Sequence, residues 1–171
     1  MGQSLIAARR SHERRLPSAV APPAASATGE TDEICAKEAF MAEPLIECVP
    51  NFSEGRDRAV IDAIVAAIKT VPEVLLLDVD PGKATNRTVV TFVGPPEPVL
   101  EAAVRGAKKA AELIDMRLHK GEHPRFGALD VCPLVPVAGI SMEDTAELAR
   151  RLARRLGDEV GLTIYCYERA A

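Results

Sequence analysis

The chain has 171 residues, 47% hydrophobic and 27% charged, with a formal net charge of −4. That is room for one globular domain with a proper core plus an appendage. The negative balance gives nonspecific nucleic-acid binding no global support, and no run approaches the ~20 consecutive apolar residues of a spanning helix, so neither nucleic acid nor a membrane is an expected partner.

Residues 1–40 differ from the rest. Arg9, Arg10, Arg14 and Arg15 come early, followed by Pro17 and an Ala/Pro/Ser tract over 18–28, a composition that buries no core. The segment reads as a transit-like targeting sequence, a disordered tail, or a stretch that is not translated, with Met41 as the true start. Gly2 does not make a myristoylation signal, because Ile6 stands where that motif needs Ser or Thr. The domain is therefore expected over 41–171.

Leu45 to Val49 is a short apolar run stopped by Pro50-Asn51, a strand entering a loop. From Arg56 to Thr70 the period changes, and Val60, Ile61, Ile64, Val65 and Ile68 fall on one helical stripe that Pro72 ends. Val74 to Val79 is nearly all apolar and reads as a central strand buried on both faces. A charged turn, Asp80 to Arg87, joins it to Thr88–Val93, and the short connection favours an antiparallel pair.

The longest helix is expected over Glu97–Asp115. Leu129–Val137 is strand-like, but Pro133 and Pro136 favour an edge or bulged position. Ser141 and Asp144 form a capping signal for a helix near Met142–Asp158. Its Arg150, Arg151, Arg154 and Arg155 read as a solvated face, with a phosphate or partner role as the alternative. Leu162–Tyr167 closes the chain as a strand.

The resulting order, β-α-β-β-α-β-α-β, predicts an α+β fold. A mixed β-sheet is packed by helices in the split β-α-β (ferredoxin-like) order, extended by a further α-β unit. No G-x-G-x-x-G or Walker sequence is present, so no dinucleotide or nucleoside triphosphate site is expected. Cysteines at 35, 48, 132 and 166 show no C-x-x-C pairing and read as reduced thiols, which makes the cytoplasm the default location.

Chemistry concentrates in His119, Lys120, Gly121, Glu122, His123, Pro124, Arg125, Phe126 and Gly127, which hold two of the three histidines. An imidazole takes and returns protons near neutral pH, so His119 and His123 are the first catalytic candidates; the plainer alternative is a pair of solvated loop histidines. His119, Glu122 and His123 also spell the H-x-x-E-H pattern of a zinc hydrolase. That mechanism needs a helix, which Gly121 weakens and Pro124 disfavours at His123, so no metal is expected.

Several longer stretches carry a resemblance: Glu47-Cys-Val-Pro-Asn-Phe-Ser-Glu-Gly55, Leu76-Leu-Asp-Val-Asp80, Thr85-Asn-Arg-Thr88, Thr91-Phe-Val-Gly-Pro-Pro-Glu97, Leu113-Ile-Asp-Met116, His119 to Arg125 and Gly127 to Pro133. From Leu45 onward the chain resembles the N-terminal subdomain of glutamate formimidoyltransferase, the folate enzyme of histidine breakdown. The resemblance implies transfer of a formimino group from N-formiminoglutamate to N5 of tetrahydrofolate, the co-substrate, with His123 as the catalytic imidazole. Asp80 either orients that imidazole or holds the formimino nitrogen, unless it simply caps its turn.

Both substrates carry carboxylates, which suit guanidinium and ammonium groups. Lys83, Arg87, Lys120 and Arg125 are the candidates for anion recognition, together with His119, while Asn51, Ser53 and Glu54 are expected to line the site. The family pairs two subdomains around a folate tunnel, and the resemblance implies that residues 41–171 are the first of them, truncated at its C-terminal end. Turnover is accordingly expected to need a second subdomain or another copy of the chain, and a non-catalytic folate-binding or partner-binding role is the alternative.

Overall fold

The computed structural model describes residues 3–8, 43–122 and 124–171. Its strands are β1 (Gln3–Ala8), β2 (Leu45–Cys48), β3 (Asn51–Phe52), β4 (Leu75–Gly82), β5 (Arg87–Gly94), β6 (Leu129–Ala138) and β7 (Thr163–Glu168). Three helices, α1 (Arg58–Lys69), α2 (Pro96–Leu113) and α3 (Met142–Val160), pack against the sheet they form.

Each helix carries its own start signal. Asp57 caps α1 by accepting from the Ala59 and Val60 amides, Pro96 opens α2, and the Ser141 hydroxyl accepts from the Asp144 amide at 3.0 Å to start α3. The last ends on Gly161 at φ 74°, where the Leu162 amide reaches back to the Leu156 carbonyl and satisfies an otherwise orphaned end.

Pairing follows the ferredoxin-like pattern. β2 and β3 are two halves of one strand broken at Val49-Pro50, and both halves lie between β5 and β6, antiparallel to each. β4 adds to the far side of β5 as an antiparallel hairpin. Beyond β6 the sheet continues through β1 to β7, all parallel.

Alternation along β5 sorts the two faces. Thr88, Val90 and Phe92 are buried with Ile46, Cys48, Cys132 and Leu134 among the helix-facing core, while Arg87, Val89, Thr91 and Val93 on the opposite face are half-buried. Burial of Ile61, Ile64 and Ile68 on α1, and of Leu148, Leu152 and Leu156 on α3, turns each apolar stripe toward this core.

Three expectations are changed or narrowed. The Val74–Val79 run is an edge strand: β4 pairs with β5 alone, and Leu75 and Leu77 are 62% and 53% exposed. An apolar run looks the same at an edge and at a sheet centre, and a register shift between Leu76 and Asp78 re-aims the side chains. Of the edge or bulged position expected for it, β6 takes the bulged one, inside the sheet. Its prolines are tolerated because they still accept, as Pro133 does from the Val49 amide at 3.1 Å, and the pairing shifts register against both β2 and β3. Finally, Gln3–Ala8 forms a strand where none is expected before Leu45.

The arginines of α3 are engaged within the protein. Arg151 clasps Glu97 of α2 through two 2.8 Å contacts, Arg155 bridges Glu101 at 2.8 Å and Glu159 at 2.7 Å, and Arg150 and Arg154 share Glu147. Arg151 and Arg155 thus bind α3 to α2, while Arg150 and Arg154 pair within α3. No helix among the described residues is long and apolar enough to cross a membrane.

Candidate functional site

Three loops meet at one end of the sheet: residues 53–57 after β3, the 83–86 turn between β4 and β5, and the 114–128 connection before β6. Glycines permit the approach. A Cβ on Gly55 would stand 2.5 Å from the Gly82 carbonyl and 2.6 Å from the Arg87 amide nitrogen, and one on Gly121 would collide with the Thr85 carbonyl.

Asn86 ties the three loops together. Its side-chain carbonyl accepts from the Gly55 amide at 2.9 Å, and its amide nitrogen donates to the Lys120 carbonyl at 3.1 Å. The residue is buried and sits at φ 50°, a left-handed conformation that Asn tolerates better than most side chains. Its backbone carbonyl faces His119 Nε2 at 3.0 Å and Arg125 Nη1 at 3.3 Å.

Arg125 Nη1 also stands 3.0 Å from His119 Nδ1 and 2.9 Å from Nε2. A carbonyl beside Nε2 and a guanidinium donor beside Nδ1 fit the tautomer with its proton on Nε2. In that form Nε2 donates to the Asn86 carbonyl and Nδ1 accepts from Arg125, and a cation occupies the space that a metal bound to His119 through Nδ1 would need. Among the described residues no three His, Cys, Asp or Glu side chains are grouped to hold a metal. His123 lies outside the described residues.

The cations converge. Burial pulls the Arg125 guanidinium below its ordinary range, Asp130 pushes it back up, and Arg87 and Arg56 add to the fall. Arg56 donates through Nε to the Lys83 carbonyl at 2.9 Å, while Lys83 and Lys120 are exposed. Arg87 approaches Asp130 at 3.9 Å.

The remaining candidates divide. Ser53 is fully buried and donates to the Gly127 carbonyl at 2.6 Å. Glu54 accepts from the Arg56 and Asp57 amides, and Asn51 donates to the Val49 carbonyl at 3.0 Å. Their side chains shape the loops. Asp80 pairs with Val89 on the same sheet face as Arg87, and it is exposed.

Sequence reasoning missed Arg56, the bridging role of Asn86, and Asp130. The last is 3% exposed and accepts from the Phe126 amide at 2.9 Å; an ionisable residue inside an otherwise apolar strand was its one signal. A separate groove of about 530 Å³ between α1 and α2 lies on the helix layer, and its Arg105, Lys108 and Lys109 are already paired with Glu101, Glu159 and Glu112.

The ferredoxin-like α+β domain thus gathers His119 with Arg56, Arg87, Arg125, Lys83 and Lys120 at one end of its sheet, an arrangement whose chemistry suits anions. Residues 45–171 match the family model described as formiminotransferase domain, N-terminal subdomain, and the chain belongs to that family. It is 57% identical over 127 residues to the formimidoyltransferase-cyclodeaminase of Rattus norvegicus, covering 74% of this chain and 24% of the rat protein. Against the glutamate formimidoyltransferases of Thermoplasma acidophilum and Streptococcus pyogenes identity is 51% and 46%, again over 74% of this chain and 42% of each relative. The chain thus spans less than half the length of each of these relatives.

Proposed function

We propose that this domain takes part in transferring a formimino group from N-formiminoglutamate to N5 of tetrahydrofolate, the activity in which its relatives' names and its own loop chemistry converge. The observation that carries this reading is the meeting of the histidine loop with Arg56, Arg87, Arg125, Lys83 and Lys120, since both substrates present carboxylates.

In the reaction, N5 forms a bond to the formimino carbon and loses a proton, while the bond from that carbon to the glutamate nitrogen breaks and that nitrogen gains one. His123 is the group to move both protons. It lies two residues before Arg125, so substrate carboxylates held by the cations would sit close to its loop. General acid–base catalysis of this kind contributes about 10²–10⁴-fold. Asp80, on the Arg87 face and with no hydrogen bond to its carboxylate among the described residues, is available to the cationic formimino nitrogen. The zinc-hydrolase alternative has less support, because His119 is turned to Arg125.

Because the matched region spans less than half of each relative, turnover is expected when the chain is joined by the remaining part of such a relative or by another copy. Reduced Cys48 and Cys132 are compatible with a cytoplasmic setting. The test is tetrahydrofolate-dependent consumption of N-formiminoglutamate by the purified chain, alone and with the C-terminal remainder of the Thermoplasma relative added. Folded protein that binds tetrahydrofolate without transfer in either condition would favour the binding-only role.

A further inference from the structure

Arg87 differs from Arg151 and Arg155 in what its guanidinium does. Arg151 and Arg155 are held by carboxylates at 2.7–2.8 Å, which leaves them little capacity for a ligand. The Arg87 side chain is only 25% exposed, yet its guanidinium makes no hydrogen bond among the described residues. Its nearest carboxylate, Asp130 Oδ2, stands 3.9 Å away, beyond hydrogen-bonding distance.

Asp130 in turn is almost wholly buried, which costs a carboxylate several kcal/mol unless charge and hydrogen bonds compensate. Its Oδ1 is fixed by the Phe126 amide, so the carboxylate is anchored to the loop that carries Arg125. Nothing holds it to Arg87 except charge. The arrangement keeps a guanidinium fork aimed and unconsumed.

We propose that Asp130 is a positioning residue: fixed by the Phe126 amide, it holds Arg87 by charge at a distance that leaves the Arg87 fork free to bind a substrate carboxylate. The proposal rests on the carboxylate-substrate reading above and adds to it the residue that sets Arg87. It also explains how Arg56, Arg87 and Arg125 gather at one sheet end, since the buried negative charge offsets their mutual repulsion.

The test is a double-mutant cycle read by calorimetric binding of glutarate, a plain dicarboxylate, to the full chain. Asp130→Asn keeps an acceptor for the Phe126 amide and removes the charge. Asp130→Glu keeps the charge and extends the carboxylate toward Arg87, so that it consumes the fork. Each is expected to weaken glutarate binding about tenfold in the native background and to have little further effect beside Arg87→Ala, the pattern of two coupled sites.

Either variant that remains folded serves. Unchanged affinity, an equal loss in both backgrounds, or no glutarate binding by the native chain would overturn the proposal. Transfer activity measured alongside separates the two claims: coupling without transfer removes the proposed reaction and leaves Asp130 in place, whereas transfer without coupling does the reverse.

Discussion

Arg125 lays its guanidinium against the imidazole of His119, with Nη1 3.0 Å from Nδ1 and 2.9 Å from Nε2. The first histidine of the loop thereby serves the arginine, and the second is left for chemistry. His119→Ala should raise KM for N-formiminoglutamate by roughly 10-fold or more, as expected for loss of a hydrogen bond to a charged group, with a smaller change in kcat. Steady-state kinetics on the variant would show the split; a kcat loss with KM unchanged would assign His119 a direct part in proton transfer.

Asn86 joins all three loops, so Asn86→Ala should cost about 1–3 kcal/mol through the partners it strands. Gly55→Ala should be comparably harmful, because the added methyl meets backbone atoms of Gly82 and Arg87 that cannot swing aside. Urea unfolding midpoints would measure both. Near-native midpoints would mean that the loops dock without this bridge.

The histidine cluster, the amphipathic helices and the split β-α-β order are legible in the sequence because each is a local pattern. The Val60–Ile68 stripe and the Ser141 cap can be read without any partner. What is not legible is tertiary. The apolar run at Leu75–Leu77 has the same letters at a sheet edge as at its centre, and the prolines of β6 do not announce that their carbonyls would still pair inside the sheet. Arg56, Asn86 and Asp130 are separated by 30 residues or more, so only the folded loops reveal that they share one end of the sheet.

The helix clamp predicts a pH dependence. Arg155 first, and then Lys108, hold Glu159 well down, to about 2 from its ordinary 4.5. A depressed carboxyl stabilises the fold above its unfolded value and loses that contribution as pH falls through the folded one, here between about 4.5 and 2. Thermal melts across that window should show a steeper fall for the native chain than for Arg155→Ala, and salt should narrow the difference because these groups are exposed. Parallel curves would show that the pair contributes nothing.

Cys48 and Cys132 lie fully buried with their sulfurs 3.5 Å apart, and burial, then the neighbouring thiol, pushes the Cys48 thiol well up. Since the thiolate is the reactive form, iodoacetamide should modify the half-buried Cys166 well before either of them. Mass mapping after timed alkylation checks the order, and early labelling of Cys48 would mean that β2 opens readily.

The central claim is that His123 moves the protons at a site whose anions are held by the surrounding cations. Its most direct test compares formimino transfer to tetrahydrofolate by the native chain, His119→Ala and His123→Ala, each supplemented with the C-terminal remainder of the Thermoplasma relative. The expected result is a kcat loss of about 10²–10⁴-fold for His123→Ala alone, with binding of both substrates retained. A folded His123→Ala variant that transfers at the native rate would contradict it.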